Sequence, residues 1–288
     1  MVVCLESPKC REDDGDRLCS LPEPVIHQIF SFMETIDVVR ASAVSRKWSL
    51  KSLTLDDFGG DESGNYKVKI ACPNLVSFNF LASWAPDFAF EDLDSLQNAF
   101  IFFDIIDRDE RDNESCHILS KLLNELCEVK ALKLSTAFLR FHFVLEERGF
   151  IPNSFNYLKS LVLSVSMADW VVPSIISLLN CSPNLEALTI YFEGDCDDWK
   201  ISNKSIFCLT CHLKTVELIH VAGDENELEL VRFLLKNGHV LKKLSFSWME
   251  DVENRKEIIS RIMKLPRSSS NVALEFLEPK PHDDFLKY

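Results

Sequence analysis

Leu185-Glu186-Ala187-Leu188-Thr189-Ile190, Leu213-Lys214-Thr215-Val216-Glu217-Leu218 and Leu241-Lys242-Lys243-Leu244-Ser245-Phe246 share one pattern. An apolar residue is followed by two variable positions, a second apolar residue, one variable position and a third apolar residue. The alternating end puts its last two apolar side chains on one face of a strand and turns the residue between them to the other face. The pattern also occurs at Leu50–Leu55, Leu75–Phe80, Val129–Leu134 and Leu158–Leu163, with a weaker copy at Phe100–Ile105. Successive starts are 25, 25, 29, 29, 27, 28 and 28 residues apart. A near-constant period of this size means that one supersecondary unit recurs along the chain.

The segments between strands read as helices. In Asp169–Cys181 the apolar residues Val171, Val172, Ile175, Ile176 and Leu179 keep helical spacing. Glu225–Asn237 does the same through Leu228, Val231, Leu234 and Leu235, with Gly238 placed to stop the helix. A single strand-plus-helix unit cannot cover its own apolar face. Stacked units bury a continuous core and give a curved α/β solenoid.

Composition sets the outer bounds. The chain has 288 residues, 47% of them hydrophobic, which is enough for a sizeable core. No apolar run approaches the roughly 20 residues that cross a bilayer, and the first twenty residues carry Glu6, Lys9, Arg11 and Asp13 rather than a signal-peptide stretch. A cytoplasmic or nuclear location is expected, without a membrane partner. Formal net charge is −14. Residues 1–49 hold six basic and eight acidic side chains, and the remainder 25 and 37, so the acid excess lies in the long C-terminal part. Such a surface repels phosphate backbones and disfavours nucleic acid as a ligand. The ten cysteines read as reduced, buried thiols in a chain with no export signal.

The period falls within the 20–29 residues of leucine-rich repeats. Cys72-Pro73-Asn74-Leu75 and Cys181-Ser182-Pro183-Asn184-Leu185 resemble the strand-opening signature of the plant-type repeats. From about Cys208 to Phe276 the chain resembles the FBD module that closes many plant F-box proteins. That resemblance rests on Leu213–Leu218, Leu228–Lys236, Leu241–Phe246 and Leu265-Pro266-Arg267.

Residues 16–48 do not follow the repeat. Leu21-Pro22-Glu23-Pro24 opens a helical stretch with an apolar stripe of Val25, Ile26, Ile29, Phe30 and Met33. Thr35 suits an N-cap for a second helix, followed by Val38, Val39, Ala41, Ala43 and Val44, and Trp48 ends the block. So small and apolar a piece needs a surface to lean on, either the repeats it caps or another protein. Asp16-Arg17-Leu18, Leu21-Pro22-Glu23, Ile26, Ile29-Phe30-Ser31-Phe32 and Asp37 through Trp48 closely resemble the F-box. The resemblance implies a Skp-type linker subunit as partner and, through it, a cullin. It places Leu21, Pro22, Ile26, Ile29, Phe30, Val38, Val39, Val44, Ser45 and Trp48 in the F-box core or at the linker contact. One departure stands out: the first repeat strand follows Trp48 almost at once. Either the third F-box helix is cut short, or Ser49–Leu53 continue as helix and the strand is lost. Early repeats are missing, as in a shortened version of a longer parent. The expected organisation is a tail at 1–15, an F-box at 16–49, leucine-rich repeats at 50–205, FBD-like repeats at 206–280 and a tail at 281–288.

Other motifs point away from catalysis. Cys208-Leu209-Thr210-Cys211-His212 spells the attachment signature of c-type haem. Cys72, Cys127 and Cys181 also sit just before strands, so cysteine there reads as repeat packing. A zinc site lacks its four ligands at defined spacing, and no phosphate-cradling or nucleophile motif occurs. No cofactor is expected. Function then resides in a surface. The outward residues at the fifth pattern position are Thr54, Asn79, Asp104, Lys133, Val162, Thr189, Glu217 and Ser245. Those at the third are Ser52, Ser77, Phe102, Ala131, Ser160, Ala187, Thr215 and Lys243. Asn79, Asp104, Lys133, Thr189 and Glu217 are the candidate target contacts. Together the resemblances imply a non-catalytic substrate-recognition adaptor of an SCF-type (Skp–cullin–F-box) ubiquitin ligase. The alternative is a repeat scaffold with a helical cap and no ligase role.

Overall fold

The computed structural model describes residues 51–56, 67–72, 74–82, 87–91, 93–103, 113–140, 154–166, 171–193, 206–281 and 285. In chain order the elements are β1 (Ser52–Asp56), β2 (Lys67–Ala71), β3 (Ser77–Ala82), β4 (Asp87–Glu91), β5 (Asn98–Phe103), α1 (Asn113–Glu125), β6 (Ala131–Leu134) and β7 (Ser160–Val165). They continue with α2 (Val171–Cys181), β8 (Ala187–Phe192), α3 (Phe207–Cys211), β9 (Thr215–Val221), α4 (Glu225–Asn237), β10 (Lys243–Trp248), α5 (Arg255–Met263) and β11 (Ala273–Leu277). The architecture is mixed α/β. Among the described residues, nine strands form one sheet in the order β1-β3-β5-β6-β7-β8-β9-β10-β11, and every neighbouring pair is parallel.

A recurrent backbone device starts most of the interior strands of the large sheet. A tight turn comes first: Leu75 N–H donates to Cys72 O (3.0 Å), Leu158 to Phe155 (3.3 Å), Leu185 to Ser182 (3.2 Å) and Leu241 to Gly238 (3.4 Å). The next two amides then share one carbonyl of the preceding unit. Val76 and Ser77 both donate to Lys51 O, Glu186 and Ala187 to Lys159 O, and Lys242 and Lys243 to Lys214 O. This pairing satisfies the buried amides at these strand starts and locks the register between units. Asn184 of the Pro-Asn-Leu signature adds a side-chain bond to Asn156 O at 2.8 Å.

The same device corrects one sequence assignment. Gln97 and Asn98 donate to Val76 O, and Lys130 and Ala131 to Gln97 O, so the third unit begins at Leu96 rather than Phe100. Leu96, Ala99 and Ile101 are its buried positions. Phe100 therefore stands between Asn79 and Lys133 in the row assigned to Asp104, and Asn98 stands where Phe102 was assigned. Asp104 itself lies outside the described residues. Phe100-Ile101-Phe102-Phe103 is apolar at every position, so alternation alone could not choose its frame.

The return segments also differ from the expectation of a helix in every unit. α2 and α4 match it, with Gly238 as the C-cap of α4. A Cβ at residue 238 would stand 2.7 Å from Leu234 O, which explains the glycine. The early returns are instead β2 and β4, a separate parallel pair. Lys-Val-Lys-Ile-Ala and Asp-Phe-Ala-Phe-Glu alternate with a period of two, and the short link from Ala82 to Leu96 leaves no room for a helix of useful length. Phe88 stacks on Phe90 and meets Phe78 and Phe80 edge-to-face. At the chain's start, β1 pairs with β3, so Ser52–Asp56 are strand and not an extension of helix.

One continuous core runs under the sheet. It takes Leu53, Phe78, Phe80, Ile101, Leu132, Leu161, Leu188, Val216, Leu218, Leu244 and Phe246 from the strands, and Val172, Ile175, Val231 and Leu234 from the helices behind.

Candidate functional site

The residues between the core positions form the opposite face of the sheet. The strand register aligns Thr54, Asn79, Phe100, Lys133, Val162, Thr189, Glu217, Ser245 and Glu275 in one row. The next row includes Leu81, Phe102, Tyr191, Ile219, Ser247 and Leu277. Parallel pairing sets like positions side by side about 4.8 Å apart, so each row is a ladder of neighbours.

The predicted contact residues fall into different situations. Asn79 is buried at 7% exposure, and its Nδ2 donates to Thr54 Oγ1 at 3.1 Å. Thr189 is half-buried mid-row. Glu217 is half-buried and pairs with Lys280 at 2.7 Å. Lys133 projects its Nζ over two rings, 4.5 Å from the centroid of Phe100 and 4.6 Å from that of Phe285. The F-box residues Leu21, Pro22, Ile26, Ile29, Phe30, Val38, Val39, Val44, Ser45 and Trp48 lie outside the described residues.

Sequence reasoning missed what covers this face. Phe285 lies across it at 4% exposure. Its ring meets Phe100 at 5.6 Å, Phe102 at 6.5 Å and Tyr191 at 5.3 Å between centroids. Neither Phe285 nor Phe100 belongs to the main core, so the cluster is a separate apolar patch on the outward side. Upstream, Glu278 and Lys280 are tied down by three bonds. Ser247 Oγ donates to Glu278 O at 2.7 Å, Lys280 Nζ pairs with Glu217, and His220 Nε2–H donates to Lys280 O at 3.2 Å. The signal available in the sequence was the aromatic content of the mis-framed third unit.

His220 reaches the outward face because β9 bulges. Its register against β10 shifts between Ser247 and Trp248, so that Ile219 faces Ser247 but Val221 faces Trp248. The extra residue, His220, sits at φ +61°, a left-handed backbone that few side chains adopt. The corner after the bulge is fixed by a reciprocal cap. Asp224 accepts from Glu227 N at 2.9 Å, while the Glu227 carboxylate accepts from Ala222 N at 3.1 Å and Gly223 N at 2.5 Å. Glu227 is 1% exposed, and burial, with Asp224 adding repulsion, pushes its carboxyl up to about 7 against those backbone bonds. Gly223 has φ +85°, and a Cβ there would collide with Ile258.

At the rim, Glu186 bridges Lys159 (2.8 Å) and Lys214 (2.5 Å), and the two ammonium groups hold its carboxyl down at about 2. Cys208 of the C-x-x-C-H stretch is fully buried in α3, its thiol donates to Leu179 O at 3.4 Å, and burial pushes it up to about 12. A thiol held in this way caps α2 and is a poor nucleophile or ligand. Among the described residues no group of three or more His, Cys, Asp or Glu could hold a metal ion, and no helix is long and apolar enough to cross a membrane.

Comparison with known proteins adds two domain matches. The F-box domain family matches residues 18–55, and the FBD family matches residues 203–246. An F-box/FBD/LRR-repeat protein of Arabidopsis thaliana is 29% identical over 172 residues, covering 57% of this chain and 38% of that protein. A putative F-box protein of the same plant is 24% identical over 283 residues, covering 96% of this chain and 64% of that one. A further F-box/FBD/LRR-repeat protein is 28% identical over 256 residues, covering 82% and 54%. The chain spans between about two fifths and two thirds of the length of these relatives. No solved structure matches it. The chain thus carries F-box and FBD domains and matches the plant F-box/FBD proteins. F-box proteins generally act as substrate adaptors that bind Skp-type subunits of SCF complexes, and such subunits are typically non-catalytic.

Proposed function

We propose that this chain is a substrate-recognition adaptor of an SCF-type ubiquitin ligase, acting in the cytoplasm or nucleus. The F-box at 16–49 docks on a Skp-type linker and through it on a cullin. Residues 50–205 and 206–280 form one leucine-rich-repeat solenoid, whose outward ladder holds a target protein. The adaptor contributes no catalytic residue. It tethers the target, which raises the effective concentration of target lysines near a ubiquitin-charged enzyme carried elsewhere in the assembly.

The observation that carries this reading is the pairing of an F-box match at one end with nine parallel strands laid down in sequence order behind it. The chemically mixed rows on the outward face of such a sheet suit protein recognition. Affinity purification of the full chain with linker and cullin tests the reading. Leu21→Ala/Pro22→Ala loses both while the chain stays folded, and Thr189→Arg keeps both but loses the target. Retention of the linker by the Leu21/Pro22 variant would refute the docking role.

The start of β1 favours the second reading, a capped repeat scaffold. β1 begins at Ser52, inside the stretch matched to the F-box. The sheet thus uses residues that a full third F-box helix would need. Absence of any linker complex from the intact chain would decide for the scaffold.

A further inference from the structure

We infer that Lys280 and Phe285 are intramolecular occupants of the ladder, and that the seat they fill accepts a peptide segment carrying a lysine and, five residues later, an aromatic ring. The inference rests on the proposal that the ladder is the recognition face, and it adds the chemistry of the ligand and a competitor built into the chain.

Three observations converge. First, the contacts are specific to side chains. Lys280 meets a carboxylate at Glu217, and Phe285 enters a patch of Phe100, Phe102 and Tyr191 capped by the Lys133 ammonium. Second, the seat is prepared at a backbone cost. His220 holds a left-handed conformation at the β9 bulge, and from there its ring both donates to Lys280 O and meets Tyr191 edge-on at 6.0 Å. Third, the patch lies outside the main core. It gathers three aromatic side chains on a face otherwise made largely of Ser, Thr, Asn and charged residues. A cation held between two rings favours an aromatic ligand over an aliphatic one, because the ring quadrupole attracts the ammonium and a methyl group does not.

An occupant tethered to the same chain competes at an effective concentration on the order of millimolar. An outside segment must therefore bind more tightly than the internal one, or displace it by multivalent contact along the ladder.

The experiment measures fluorescence anisotropy of a labelled peptide of residues 279–288, Pro-Lys-Pro-His-Asp-Asp-Phe-Leu-Lys-Tyr, titrated with full-length chain. The Phe285→Ala chain is expected to bind the peptide roughly tenfold more tightly than the intact chain, because its seat is vacant. Lys280→Ala is expected to move affinity in the same direction by a smaller factor, and it serves where Phe285→Ala folds poorly. Adding Lys133→Ala to Phe285→Ala is expected to weaken binding by roughly fivefold, and a peptide with Leu for Phe285 should bind as weakly. Equal binding by the intact and Phe285→Ala chains would overturn self-occupation. Failure of every chain to bind, or equal binding of the Leu peptide, would overturn the aromatic seat. None of these failures touches target recognition by the ladder as a whole, which the copurification with Thr189→Arg reads separately.

Discussion

The two faces of the nine-stranded sheet are cut from the same strands, yet they obey different rules. On the core face nearly every position is Leu, Ile, Val or Phe and is almost fully buried, from Leu53 to Phe246. On the outward face neighbours in one row are Asn79, Phe100, Lys133, Val162, Thr189 and Glu217, with no shared chemistry. Alternation lets a chain specify both independently: one set of residues chooses the fold, and the interleaved set is free to choose a ligand. The two sets should therefore fail in different ways.

The largest expected effect is on the core face of the early units, where strands rather than helices back the sheet. Phe80→Ala empties the space between β3 and β4 and should cost about 3–5 kcal/mol, read as a fall in the urea midpoint at unchanged slope. A loss below about 1 kcal/mol would mean that the β2–β4 pair is not packed as described.

The corner between the faces is sensitive to pH. Folding raises the Glu227 carboxyl from its ordinary 4.5 to about 7, chiefly by burial. The native state thus favours the protonated form. This contribution is complete below about pH 4.5 and is lost as pH rises through 7, up to about 3 kcal/mol in all. Glu227→Gln should remove that fall in stability between pH 5 and 8 relative to the parent chain. An identical pH profile for both would show that Glu227 does not titrate in this window.

On the outward face Phe285→Ala should cost about 1–2 kcal/mol, the loss of one buried ring without collapse of the core. A cost as large as that of Phe80→Ala would make the segment part of the fold rather than an occupant of it. At the exposed rim the effect should be smallest. Glu186→Gln should lower the melting temperature only slightly, and NMR titration should find the Glu186 carboxyl below its ordinary range at low salt and closer to it in 1 M salt.

The core face was legible in the sequence because it repeats. Seven of the eight strand frames, the helices α2 and α4 and the Gly238 stop follow from apolar spacing alone. The frame at Leu96 was not legible, since Phe100–Phe103 are apolar on both faces and the deciding signal is the pair of amides that share Val76 O. The strand returns β2 and β4 ran against the expected helix per unit, because their five-residue period-two alternation is too short to stand out beside the longer helical returns. Lys133 and Glu217 could be placed on the outward face from the pattern. Their partners Phe285 and Lys280 lie far away in sequence, and no local period announces such a contact. The His220 bulge was equally silent, since it depends on the register of β9 against β10.

Leu132 and Lys133 are adjacent on β6 and point to opposite faces, which makes them the most direct test of the division between folding and recognition. Unfolding free energy and affinity for the 279–288 peptide would be measured for Leu132→Ala and Lys133→Ala, both in the Phe285→Ala background. Leu132→Ala should lose about 2–5 kcal/mol of stability and leave the affinity of the folded fraction unchanged, whereas Lys133→Ala should weaken the peptide and leave stability within about 1 kcal/mol. If the two variants shift both quantities alike, the faces are not independent and the division does not hold.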